Sequence, residues 1–171
     1  KASGFIAHSH MSDEAKHRLG VARGASVRGM KRSATDLHAK ARSKQKTLSH
    51  VGSGEETLLK WLIDVGLQVE WQHPVERYNI DLAVLPNVAI ELLVCTCSPM
   101  RRRKDIRKVE YLTNSGWNVL YVWVTKRYFL TPACVEHIVA FVQRVQRDPS
   151  PVGEYRVIRG GGQFVAAGRD N

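Results

Sequence analysis

Val88 to Cys95 is apolar at every position except Glu91. A strand of that composition has no face suited to water, so it must lie inside a sheet covered on both sides. Asn118 to Val124 is a second apolar run of strand length, too short to cross a membrane. Between them, Met100 to Ser115 is basic, with Ile106, Val109 and Leu112 at helical spacing and Gly116 as a stop. Upstream, Leu58, Leu59, Leu62 and Ile63 predict a helix over Glu55 to Val65, ended by Gly66. Leu67 to Gln72 reads as a short strand. Arg77 to Leu85 reads as another, with Ile80, Leu82 and Val84 alternating before a turn at Pro86-Asn87. Thr131 as cap and Pro132 at the first position open a last helix to about Arg147, with Val135, Ile138, Val139 and Val142 inward. Glu154 to Ile158 is expected as an edge strand before the Gly160-Gly161-Gly162 turn. A hairpin followed by a helical crossover implies an α/β fold: a mixed sheet of four to five strands with flanking helices.

The charge is uneven. The 171 residues carry a formal net charge of +10. Lys1 to His50 holds 11 Lys/Arg against Asp13, Glu14 and Asp36, so +8 of the surplus lies in an arm whose one aromatic residue is Phe5. An arm that poor in bulky apolar side chains cannot form a compact domain alone. It reads as an extended basic segment, residues 1–50, that orders on a polyanion, or else as a solvated tail. Ser12-Asp13-Glu14-Ala15-Lys16 begins like an N-capped helix, and Ser33 to Ser43 repeats that cap and composition. Three cysteines, an odd number, point away from a disulfide framework and toward a reducing, cytoplasmic compartment. Cys95-x-Cys97 lacks the second ligand pair that a structural zinc site needs.

Asp81 and Glu91 each interrupt an apolar strand. Burying an unpaired carboxylate costs several kcal/mol, so each needs a partner. With a three-residue turn, Ala83 is expected to face Glu91 and Asp81 to lie one pleat away on the same face. A two-residue turn would put the two on opposite faces. Close carboxylates repel unless a cation intervenes, and a hard ion such as Mg²⁺ or Mn²⁺ suits them. Spacing alone leaves equally open that each pairs with Arg or Lys from a neighbouring helix.

Asp81 followed by Ile90-Glu91-Leu92 resembles the metal-binding centre of the PD-(D/E)xK nuclease superfamily. Asp105-x-x-Lys108-x-x-x-Leu112-x-x-x-Gly116-Trp117-Asn118-Val119-Leu120 is similar to a segment of its very-short-patch-repair-like branch. Glu55-Glu56, Gln72-His73-Pro74-Val75 and Tyr78-Asn79-Ile80-Asp81 fit the same branch, and Tyr155 to Gly160 looks like the tail of phage homing endonucleases with this domain. Ser12-x-Glu14-x-Lys16-x-x-Leu19-x-x-Ala22-x-Gly24 resembles the short modular DNA-binding repeats attached to such enzymes (NUMOD3-type). The resemblance implies a restriction-endonuclease-like core over roughly residues 51–148, a C-terminal tail over 149–171, and a Mg²⁺-dependent, site-specific DNA endonuclease of bacterial or phage origin. It implies Asp81 and Glu91 as metal ligands, Glu56 (with Glu55 the alternative) as a helix-borne helper, Asp105 as holder of a basic residue or water, and Lys108 as a phosphate-neutralising cation. Double-stranded DNA would be held by Arg23, Arg28, Lys31, Arg32, Lys44 and the run Arg101-Arg102-Arg103-Lys104. Cutting both strands with one site per chain requires a homodimer on DNA or sequential nicks.

The sequence departs from that pattern in two places. Leu93 stands where the superfamily has Lys, and Cys97 where the branch has His, so no general base is evident beyond Lys104 or His73. A mismatch-type nicking repair enzyme of the same fold and a catalytically inactive nucleic-acid-binding module are the alternatives.

Overall fold

A computed structural model describes residues 12–14, 16–18, 33–48, 51–96, 102–148 and 153–169 of the chain. The chain divides after Ser33 into two units. In the first, Asp13, Glu14 and Lys16 to Arg18 are helical. The Lys16 amide donates to the Ser12 carbonyl at 3.0 Å, and Asp13–Lys16 and Glu14–Arg18 pair at 3.1 and 2.7 Å. These acidic-then-basic pairs one turn apart suit the helix dipole. Arg23, Arg28, Lys31, Arg32, Cys97 and Arg101 lie outside the described residues.

The second unit starts at Ala34, so the latter part of the basic segment belongs to it. Its helices are α1 (Ala34–Thr47), α2 (Glu55–Asp64), α3 (Arg103–Asn114) and α4 (Ala133–Arg147). Its strands are β1 (Glu70–Val75), β2 (Tyr78–Val84), β3 (Val88–Val94), β4 (Asn118–Val124), β5 (Glu154–Arg159) and β6 (Phe164–Arg169). The strands form one mixed sheet of six in sequential order. β1-β2-β3 are antiparallel, β4 and β5 run parallel to β3, and β6 returns antiparallel. The sheet therefore has more strands than the expected four to five. Glu154–Arg159 is not an edge but lies between β4 and β6. Phe164–Arg169, with Ala-Ala-Gly at its centre, has little strand propensity and is fixed by pairing with β5.

Two layers cover the sheet. Leu58 and Leu62 of α2 and Val135, Ile138, Phe141 and Val142 of α4 pack on Leu82, Val84, Ile90, Leu120 and Val122. Val109 and Leu112 of α3 pack on Ala83, Ala89, Val119, Tyr121 and Val157. The crossover helices α3 and α4 bury most of the stripe expected of them, with Ile106 only half-buried, whereas on α2 Ile63, next to buried Leu62, is 53% exposed. β1 begins at Glu70 rather than Leu67 because the helix end claims Leu67: its amide reaches back to the Leu62 carbonyl at 3.0 Å, across left-handed Gly66.

The central hairpin differs from expectation in register. The turn is the three-residue Leu85-Pro86-Asn87, but the ladder pairs Val84 with Val88, Ala83 with Ala89 and Leu82 with Ile90. Ala83 thus faces Ala89 rather than Glu91. Beyond Leu82 the ladder stops, and Asp81 Oδ2 accepts the Leu92 amide at 3.0 Å. At the same level of the sheet Ile80 joins the α3-side core and Leu82 the opposite core. On β1, buried Gln72 takes the left-handed region at φ 52°, a conformation uncommon for a residue with a side chain.

α1 is hooked to this hairpin by Asn79, whose Nδ2 donates to the carbonyls of Ala41 at 2.8 Å and Gln72 at 2.9 Å. Asn79→Ala leaves both acceptors without that donor. We expect a loss of about 1–3 kcal/mol in urea unfolding, with amide exchange accelerated in α1 more than in α4.

Candidate active site

Glu91 lies mid-strand on β3, 4% exposed, beside Tyr121 in the parallel register with β4. Both face α3. Lys108, from the second turn of α3, places Nζ on Glu91 Oε2 and also donates to the Asn79 carbonyl at 2.8 Å. Pairing with a helix-borne cation, one of the two arrangements left open by spacing, therefore holds for Glu91. It uses only one carboxylate oxygen: Oε1 is buried without a hydrogen-bond partner among the described residues. Asp81 is half-buried, and its Oδ2 is engaged by the Leu92 amide. The missing ladder pair at Asp81 is what brings these side chains into one place.

The helix α2 contributes its first residue, not its second. Glu55 is 4% exposed, whereas Glu56 is exposed. Glu55 Oε1 accepts the Gly52 amide at 2.6 Å, and Oε2 accepts Gln72 Nε2 at 2.7 Å and Trp71 Nε1 at 3.3 Å. Gly54 permits this entry: its φ is +89°, and a Cβ there would lie 3.2 Å from Leu130 Cδ2 and 3.3 Å from Leu92 Cδ2. Glu55 is thus a fully engaged positioning group. Glu55 and not Glu56 is drawn inward because a helix start buries only the side of the first turn that faces the sheet. Adjacent glutamates look alike in sequence, so that distinction needs the fold.

Asp105 is 8% exposed in the first turn of α3, with Oδ2 3.1 Å from Arg102 Nε. The expected role, holding a basic residue, matches that geometry. Arg103 and Lys104 are exposed and Lys44 is half-buried on α1. His73 sits against Glu70 Oε2 at 2.7 Å and against the Trp117 ring at 5.4 Å, so its ring is held in β1 by other partners. Tyr121 was missed by sequence reading. Its hydroxyl is buried with no hydrogen-bond partner among the described residues, and burial, then Glu91, hold it well above the usual tyrosine range. The signal for it was its place at the middle of the apolar strand β4, which reads simply as core.

No protein-family model, curated protein or solved structure matches the chain. The chemistry of the site rests on its own atoms. Among the described residues no group of three or more His, Cys, Asp and Glu side chains is placed to hold a metal ion. A Mg²⁺ site needs less, since that ion keeps several waters and takes one or two carboxylates plus substrate phosphate. The partnerless Glu91 Oε1 and the neighbouring Asp81 carboxylate are a donor set of that kind. Glu91 and Asp81 share the one Lys108 ammonium, an electrostatic imbalance that a divalent cation would relieve.

Burial and then Asp81 push the Glu91 carboxyl up to about 8, against the pull of Lys108. Burial opposes the charge on Lys108, but Glu91 and Asp81 outweigh it and hold its ammonium above the ordinary range. A carboxyl raised in the folded state stabilises the fold when protonated. That contribution is complete below its ordinary 4.5 and lost as pH rises through about 8. In EDTA, unfolding free energy should therefore fall as pH rises across this window. Glu91→Gln should flatten the dependence, measured by urea unfolding at a series of pH values.

Proposed function

We propose that the chain is a divalent-metal-dependent DNA endonuclease of the homing type, hydrolysing phosphodiester bonds. The observation that carries the reading is the Asp81 carboxylate beside Glu91 where the ladder of an otherwise apolar hairpin ends, with one Glu91 oxygen unpartnered among the described residues. Asp81 and Glu91 would hold Mg²⁺ or Mn²⁺. Bound there, the ion supplies charge neutralisation at the scissile phosphate and acidification of the attacking water.

The protein's own groups do the rest. Lys108 supplies from α3 the cation that the superfamily pattern carries at position 93, where this chain has Leu. Of its three N–H donors, one is on Glu91 and one on the Asn79 carbonyl. The third is left to meet a phosphate oxygen or a water, and its fixed charge stabilises the extra negative charge of the transition state. Glu55, locked by Gln72, Trp71 and Gly52, maintains the negative field at Glu91 without contacting substrate. Asp105 fixes Arg102 at the start of α3, where the half-exposed guanidinium can meet the DNA backbone.

Supercoiled plasmid carrying the target should be nicked or linearised with Mg²⁺ and left intact with EDTA. Asp81→Asn should lower the rate by at least about 100-fold while DNA affinity in EDTA is retained. Lys108→Met should do the same, whereas Glu56→Gln should leave the rate within about twofold of the parent. Full cutting by the Asp81 variant would sink the assignment.

A further inference from the structure

The loop after β4 carries Lys126-Arg127-Tyr128-Phe129, and no acidic residue occurs between Thr125 and Val135. Lys126 and Arg127 are exposed. They and Arg159, at the end of β5, make no ion pair with a carboxylate among the described residues. In this unit Arg102, Lys108, Arg144 and Arg156 each have one, and the other unpaired cations among the described residues lie on other elements. Three cations thus cluster at the C-terminal edge of the parallel strands without internal neutralisation.

The cluster is held in shape. Thr125 Oγ1 accepts the amides of Arg127 at 3.2 Å and Tyr128 at 3.0 Å, and the Thr125 amide donates to the Tyr128 carbonyl at 3.0 Å. The Arg159 guanidinium stacks 3.7 Å from the centre of the Tyr128 ring. Gly160 closes the other side: its amide donates to the Trp123 carbonyl, its carbonyl accepts the Thr131 amide, both at 3.0 Å. A Cβ at Gly160 would lie 2.5 Å from the Phe129 carbonyl oxygen, so the close approach requires glycine. Such a loop loses little conformational entropy when it binds.

Its position relates it to the acid pair. Glu91 neighbours Tyr121 in the register, and Leu93 neighbours Trp123 one pleat further on the same face. One pleat is roughly 7 Å along the strands. There a depression of about 320 Å³ is lined by Thr96, Trp123, Thr125, Lys126, Arg127 and Tyr128. An aromatic floor with a cationic rim, beside the carboxylates and bearing the opposite charge to a phosphodiester chain, fits a nucleic-acid strand.

We propose that the Thr125–Leu130 loop is a DNA-backbone contact, with Lys126 and Arg127 each neutralising a phosphate of the strand that crosses the Asp81–Glu91 site. The proposal takes its partner from the endonuclease reading, and its test measures binding without metal so that the two can fail separately. Anisotropy of a labelled DNA duplex is titrated with parent and Lys126→Ala/Arg127→Ala chains in EDTA at a series of salt concentrations. Each lost phosphate contact lowers the slope of log affinity against log salt by about 0.9. The double variant should therefore show a slope shallower by about 2 and an affinity at least about 10-fold lower at low salt. Lys126→Arg/Arg127→Lys should restore both. An unchanged slope in a variant with parental melting temperature overturns the proposal, as does a parent chain that binds RNA but not duplex DNA. The slope change without any plasmid cleavage keeps the contact and removes the nuclease reading; cleavage with an unchanged slope does the reverse.

Discussion

Glu91 is a carboxylate placed in the most apolar strand of the sheet, and much of the surrounding arrangement follows from how that group is accommodated. Strand β3 is covered on both faces, so Glu91 is largely withdrawn from bulk water, at 4% exposed. Lys108 meets it from α3, which fixes the rotation of that helix and puts Asp105 one turn earlier on the same side. Asp81 meets it from β2, where the ladder opens and a side-chain oxygen takes over the Leu92 amide. A hydrophobic residue at position 91 would pack with less electrostatic strain. The charge stays, with one oxygen buried and unpartnered among the described residues, at a cost in stability.

The support around that site is unequal in kind. Glu55 is satisfied by three donors and has nothing left to offer a substrate. Glu91 and Tyr121 retain buried oxygens with no protein partner among the described residues. The first arrangement holds a shape, and the second leaves room for chemistry. Gln72 links them, since its left-handed backbone and its bond to Glu55 sit at the level where β2 exchanges faces.

Part of this was legible in the residues themselves. The apolar runs gave the central strands, and the basic helix between them gave the crossover, because both signals are local and strong. Asp81 and Glu91 stood out because charge in an apolar strand demands a partner, whereas Asp105 and Lys108 were implied by the family resemblance. Lys126, Arg127 and Arg159 did not stand out, since cations in loops are ordinary until a fold gathers them. Phe164–Arg169 was missed because its alanines and glycine carry no strand signal, and its conformation comes from β5.

By itself the sequence determined the layer order, the parallel crossover and the presence of two carboxylates in a hairpin, since apolar periodicity and burial cost are properties of local composition. The tertiary structure decided the rest. It set Ala83 opposite Ala89 rather than Glu91, ended the ladder before Asp81 and put that carboxylate on the Leu92 amide, and it buried Glu55 rather than Glu56 by the rotation of a helix start. It brought Lys108 to Glu91 across 17 residues of chain. Those outcomes depend on distances between elements, and such distances are fixed only when all the faces are packed at once.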